Sequence, residues 1–144
     1  MWLEDFEVGQ TFEAPPYLVS QDEIQAFASE FDPQPFHTDP VAAEESVFGE
    51  LVASGWHMTA LNMKLFVAHG PKIQGGIVGL NVDDLRWGAV RPGDELSWQM
   101  EIDEIHPSAS GKPRGIVRMR HRLINQNHED ALHFVVSCLV PARA

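Results

Sequence analysis

Ser54-Gly55-Trp56-His57-Met58-Thr59-Ala60-Leu61-Asn62-Met63-Lys64-Leu65-Phe66-Val67-Ala68-His69 carries one formal charge, Lys64, in sixteen residues. Met58, Leu61, Leu65 and Phe66 recur at helical spacing, Ser54 stands where an N-cap belongs, and Gly70-Pro71 stops the run. A helix this apolar does not lie on a surface; it needs a sheet around it. The residues that follow supply one. Val78, Leu80 and Val82 alternate with their neighbours, as do Leu96, Trp98, Met100 and Ile102. Val117, Met119, His121 and Leu123 continue the pattern, then Leu132, Phe134, Val136, Cys138 and Val140. Arg91-Pro92-Gly93-Asp94, residues 107–113 and residues 125–130 read as the turns between them. A long helix followed by four or five such strands predicts an α+β fold, the central helix wrapped by a curved antiparallel sheet.

Upstream of residue 54 the signals are helical as well. Ser20-Gln21-Asp22-Glu23 is a capping box, serine followed three residues later by glutamate. It opens a helix whose Ile24, Phe27, Ala28 and Phe31 fall at i, i+3, i+4 and i+7. Pro33 and Pro35 end that helix, because each lacks a backbone N–H and restricts the residue before it. Asp39-Pro40 reads as the N-cap and first position of a further short turn. No repeat, low-complexity tract or linker interrupts the chain, so residues 1–144 read as one domain.

A chain of 144 residues buries roughly 68% of its unfolded surface, enough for a core without staples. No apolar run approaches the roughly 18 residues of a membrane span, so no membrane partner is expected. The start, Met1-Trp2-Leu3-Glu4-Asp5-Phe6-Glu7, is acidic where a signal peptide is basic. The lone Cys138 has no partner for an internal disulfide, and a reducing, cytoplasmic location follows as the expectation. The net charge is −11, unevenly spread. Residues 1–63 hold twelve acids and no Lys or Arg, whereas residues 64–144 hold all ten bases and nine acids. Tracking nucleic-acid phosphates takes a broad basic surface, and Arg114, Arg118, Arg120 and Arg122 make only a local one. No nucleic acid is expected; a small anionic ligand fits better.

The densest chemistry lies in Asp32-Pro33-Gln34-Pro35-Phe36-His37. A carboxylate and an imidazole stand five residues apart in a segment that the two prolines are expected to hold out of helix. Such a pair suits a reaction that takes one proton and gives another near neutral pH. Downstream, Ser54-Gly55 opens the apolar helix. A helix N-terminus offers unpaired N–H groups and partial positive charge to a developing oxyanion. Glycine there lets a ligand carbonyl approach the backbone.

Asp32-x-x-Pro35-x-His37, Ala43 six residues past the histidine, Ala53-Ser54-Gly55, Arg86-Trp87 and Val90-Arg91-Pro92-Gly93-Asp94 resemble the MaoC-type (R)-specific enoyl-CoA hydratases. The likeness runs over most of the chain. It implies a hot-dog fold, assembled as a homodimer or higher homo-oligomer through a continuous sheet. It also implies reversible hydration of trans-2-enoyl-CoA, equivalently dehydration of (3R)-hydroxyacyl-CoA. The acyl-CoA thioester is then the substrate, and no metal or other cofactor takes part. By the same resemblance Asp32 and His37 are the acid–base pair around one water, Gly55 gives the oxyanion N–H, and Ser54 orients Asp32. Gln34, Phe36, Trp56, His57 and Arg86 are further candidates for substrate contact, with Phe31 and Phe48 for the wall of an acyl tunnel. Lys64, Arg86, Arg91 and the Arg114–Arg122 strand are candidates for the CoA phosphates. The family motif commonly reads Gly-Asp-x-Asn-Pro-x-His; here Phe31 precedes the aspartate and Gln34 replaces the asparagine.

Simpler readings stand beside these. Asp32 alone could merely end a helix, and His37 alone could be a packed loop histidine; their conjunction with Ser54-Gly55 favours function. His69 is explained by the helix dipole and Cys138 by the core. Spacing among Asp32, His37 and His57 matches no zinc pattern. Two other functions fit the chain. A hot-dog acyl-CoA thioesterase commonly carries Asp or Glu on the central helix, and residues 54–69 contain neither. A non-catalytic acyl-thioester-binding module has no need of an acid–base pair.

Overall fold

Ser20 and Glu23 exchange hydrogen bonds, the hydroxyl accepting from the Glu23 N–H at 3.2 Å and the carboxylate from the Ser20 N–H at 3.1 Å. They start α1, Gln21–Phe31, in the computed structural model, which describes residues 1–144. α1 buries Ile24 and Ala28, and Phe31 at its end is 67% exposed. Pro35 does not keep the chain out of helix. It occupies the first position of a one-turn helix, α2, Pro35–Thr38, where its missing N–H has no intrahelical acceptor to lose. His37 therefore stands on a helix rather than a loop. Asp39 then caps α3, Pro40–Glu44, through Oδ1.

The apolar run forms α4, Gly55–His69. Met58, Leu61, Leu65 and Phe66 pack into a core with Trp98, Met100, Met119, Leu123, Leu132 and Cys138 of the sheet. Trp56, Met63 and Val67, on other faces of α4, stay 44–58% exposed. The expectation of a helix enclosed all round is thus met on one side only, because the sheet of a single chain covers only one side.

Six antiparallel strands make that sheet. They are β1 Thr11–Glu13, β2 Tyr17–Leu18, β3 Val78–Trp87, β4 Glu95–Pro107, β5 Arg114–Ile124 and β6 Asp130–Pro141. The order is β1-β4-β5-β6-β3, with β2 also on β4. β1 and β2 fall in a region whose signals read as helical; at three and two residues they are too short to show a period. β3 and β4 are consecutive in sequence yet lie apart in the sheet, so residues 91–94 end a crossover and not a hairpin. β4 and β5 alternate as read, with Leu96, Trp98, Met100 and Ile102, then Val117, Met119, His121 and Leu123, facing inward. β3 pairs only with β6 and leaves Val78, Leu80 and Val82 about half exposed at the sheet edge.

On the opposite face the local basic stripe is neutralised strand by strand. Arg118 pairs with Asp83 and Glu104, Arg120 with Asp103, and Arg122 with Asp130. No helix is long and apolar enough to cross a membrane.

His121 is the one histidine with no exposed surface. Its Nδ1 accepts from Asn62 Nδ2 at 3.0 Å and from Trp98 Nε1 at 3.2 Å, so the proton of the neutral ring sits on Nε2. Burial pushes its pKa down from 6.5 to about 3. Between those values the unfolded chain binds the extra proton and the folded one does not, so stability falls as pH falls. His121→Gln keeps an acceptor for Asn62 and Trp98 but does not titrate. Thermal denaturation between about pH 7 and pH 5 should show the wild type losing stability more steeply than this variant, by up to about 1.4 kcal/mol per pH unit. Equal slopes would contradict the neutral buried ring.

Candidate active site

Leu51, Val52, Ala53 and Ser54 are all buried and lead into α4. The Val52 N–H donates to the Phe36 carbonyl at 3.1 Å, and the Ala53 N–H to the Val90 carbonyl at 2.8 Å. This tie sets the Val52 carbonyl against α2, where it meets His37 Nδ1 at 2.6 Å. A carbonyl oxygen only accepts, so Nδ1 carries the proton and Nε2 is left to face the site. Nε2 lies 3.3 Å from Asp32 Oδ2. The imidazole is 6% exposed and meets Phe36 edge-on, with ring centroids 4.5 Å apart.

Asp32 occupies the C-cap of α1, the negative end of a helix dipole and an unfavourable place for a carboxylate. Gln34 answers part of that cost, its Nε2 donating to Oδ1 at 2.6 Å. Desolvation is the largest single influence on the Asp32 pKa and raises it. The Gln34 hydrogen bond, the Ser54 hydroxyl and the charge of His37 together outweigh it and hold the carboxyl below its ordinary range. Asp32 therefore stands ionised beside the imidazole at neutral pH.

Ser54 occupies the N-cap position of α4, but its side chain makes no cap bond. Its fully buried Oγ closes no hydrogen bond of ordinary geometry, although it stands near enough to Asp32 to help lower its pKa. The first N–H groups of α4 are thereby left uncapped by the serine. Gly55 follows, and a Cβ there would lie 2.6–2.8 Å from the ring atoms of Trp87. The glycine is required by close approach of an indole, not only by room for a ligand. Phe36, His37, Phe48, Val52, Gly55 and Trp87 line a cleft of about 220 Å³; Asp32, 3.3 Å from Nε2, is not part of its lining.

The structure thus brings Asp32, His37, Gln34, Phe36, Ser54 and Gly55 together. Gln34 acts on Asp32 rather than on the cleft. Trp56 lies outside it, on an apolar groove of about 370 Å³ shared with Thr59, Met63, Phe66, Phe134 and Val136. His57 stacks on Phe27 at 4.8 Å instead, and its pKa is lowered by burial, partly offset by the charge of Glu23. Arg86 is solvent-exposed, paired with Asp84 across a separate polar hollow. Arg91 pairs with Glu50, and Lys64 stands over the Tyr17 ring at 5.5 Å. Of the bases considered for phosphates, Arg114 alone has neither a carboxylate nor a ring partner. No three His, Cys, Asp or Glu side chains converge as metal ligands would. Trp87, unassigned by sequence reasoning, is a wall of the cleft; its place after the alternating β3 residues and before Gly88 was the available signal.

Comparison with known proteins bears on the family and the fold. The family described as MaoC like domain matches residues 5–122. The uncharacterized protein YdeM of Bacillus subtilis is 30% identical over 141 residues, spanning 97% of this chain and 99% of that protein. The crystal structure of a MaoC-like dehydratase from Rhodospirillum rubrum superposes with a TM-score of 0.94 at 41% identity, covering 100% of this chain and 99% of the other. The (R)-hydratase PhaJ1 of Pseudomonas aeruginosa, without ligand, superposes with a TM-score of 0.78 at 28% identity, covering 99% and 86%.

Gly55→Ala places a methyl group inside the Trp87 ring. Denaturation should show a loss of about 1–3 kcal/mol, the usual cost of overpacking. In a Trp87→Ala background the same substitution should cost almost nothing, which a double-mutant cycle reads directly. An undiminished cost in that background would place the constraint on Gly55 elsewhere.

Proposed function

The chain belongs to the MaoC-like domain family, and we propose that it is a hydro-lyase that reversibly hydrates trans-2-enoyl-CoA to (3R)-hydroxyacyl-CoA. One observation carries this reading. His37, its tautomer set by Val52, presents Nε2 to an ionised Asp32 at 3.3 Å beside the start of α4. A carboxylate and an imidazole so placed can share one water between them.

In the proposed reaction the thioester oxygen accepts from the Gly55 N–H, where the helix dipole steadies negative charge growing on the enolate. The pair takes one proton from water as its oxygen bonds to C3, passes it across the 3.3 Å contact where the two roles fall on different members, and gives it to C2, so that the pair ends as it began. Every proton belongs to water or to the pair, so these steps call on no metal or redox cofactor. Gln34 and Ser54 keep Asp32 ionised and oriented.

The reading extends to a second copy of the chain. The half-exposed apolar residues of the β3 edge and the uncovered Val67 of α4 offer surface for a homodimer joined through the sheet. A reducing cytoplasm suits the single buried thiol of Cys138.

Asp32→Asn and His37→Ala should each lower turnover by about 10²–10⁴, read as loss of the conjugated thioester's absorbance across short, medium, long and branched enoyl-CoA. Near-wild-type turnover in either folded variant would overturn the mechanism. The acid limb of kcat/KM should also lie below the ordinary carboxylate range, because Asp32 must stay ionised and its pKa is lowered. An acid limb above that range would place the essential carboxylate elsewhere.

A further inference from the structure

We propose that Trp87 sets the acyl chain this enzyme accepts, as a fixed wall between the catalytic cleft and the apolar groove; the proposal rests on the hydratase reading above. Trp87 is the last residue of β3. The Gly88 N–H donates to the Ala131 carbonyl at 3.0 Å, and a Cβ on Gly88 would lie 2.5 Å from the Asp130 carbonyl oxygen. The backbone is therefore pressed against β6, and the indole reaches over the first turn of α4. There the Nε1–H donates to Thr59 Oγ1 at 3.1 Å, and the Thr59 hydroxyl donates in turn to the Gly55 carbonyl at 2.9 Å. Trp56 meets the indole edge-on, with centroids 4.9 Å apart. The side chain is latched on both flanks.

Its position relative to the two cavities decides the consequence. Trp87 lines the 220 Å³ cleft with His37 and Gly55. Its latches, Thr59 and Trp56, line the 370 Å³ groove that continues to Met63, Phe66 and Phe134. Gly55, Thr59, Asn62 and Phe66 fall at i, i+4, i+7 and i+11, one face of α4. An acyl chain that leaves a thioester at Gly55 and runs along this face meets the Trp87–Thr59 contact before it reaches the groove. Short chains end before that contact. Longer ones need the space the indole fills.

The test compares wild type, Trp87→Phe and Trp87→Ala by the ratio of kcat/KM for trans-2-decenoyl-CoA over trans-2-butenoyl-CoA. Trp87→Ala should raise that ratio by about tenfold or more, the span a few methylenes command in an apolar pocket. Trp87→Phe, which keeps an aromatic wall and loses only the N–H, should stay near the wild-type ratio. Loss of packing on Gly55 lowers both rates together, which the ratio cancels. Affinities for saturated decanoyl-CoA and butanoyl-CoA, measured by calorimetry, should shift in the same direction. An unchanged ratio in folded Trp87→Ala, or a wild type that already favours the decenoyl substrate, overturns the proposal. If the wild type turns over no enoyl-CoA, the hydratase reading fails and the calorimetric ratio alone decides on Trp87. Absence of binding to all three proteins overturns both.

Discussion

The hydrogen bond from His37 Nδ1 to the Val52 carbonyl, 2.6 Å long, is the constraint on which the site depends. A free imidazole exchanges its proton between two nitrogens and turns about its side-chain bonds. Here the backbone removes both freedoms. The same buried segment that offers the carbonyl continues directly into α4, so the imidazole and the helix start share one rigid frame. That frame is pinned to α2 through the Phe36 carbonyl and to residue 90 through the Val90 carbonyl. The imidazole and the helix N-terminus are then positioned by backbone, which is stiffer than contact between side chains alone.

Local preferences are obeyed around the site and broken inside it. Ser20 and Asp39 cap their helices in the ordinary way. Ser54 holds the same position on α4 and withholds its hydroxyl. Asp32 places a charge at the end of α1 where the dipole opposes it, a cost of about 0.3–1 kcal/mol at an exposed end. Gly55 lies so close beneath an indole that no side chain fits. Departures from local rules gathered at one place are what a site built for chemistry shows, and the large core beside it carries the stability that offsets them.

Much of the fold was legible because its elements are long and periodic. α4 follows from one apolar run, and β4 and β5 from strict alternation. β1 and β2 were hidden by their brevity, and the β3–β4 crossover by the fact that a turn signal does not tell which strands it joins. Pro35 misled for a related reason: proline ends one helix and can begin the next. The meeting of Asp32 and His37 was visible as residue types at a spacing. The Val52 carbonyl was not, since a backbone group has no letter in the sequence. Trp56, His57 and Arg86 are neighbours in sequence of true cleft residues, yet each turns to a different surface. Their directions follow from helix phase and strand pleat, which one-residue errors reverse.

The proposed reaction needs a ligand seated with its thioester at the tip of α4 and its hydroxyl between Asp32 and His37. A crystal structure of the Asp32→Asn protein soaked with a (3R)-hydroxyacyl-CoA tests that most directly. The account predicts the thioester oxygen at hydrogen-bond distance from the Gly55 N–H. It also predicts the 3-hydroxyl between residue 32 and His37 Nε2, with Nδ1 still on Val52. A thioester bound away from Gly55, or an imidazole turned off the Val52 carbonyl to reach the ligand, would contradict it.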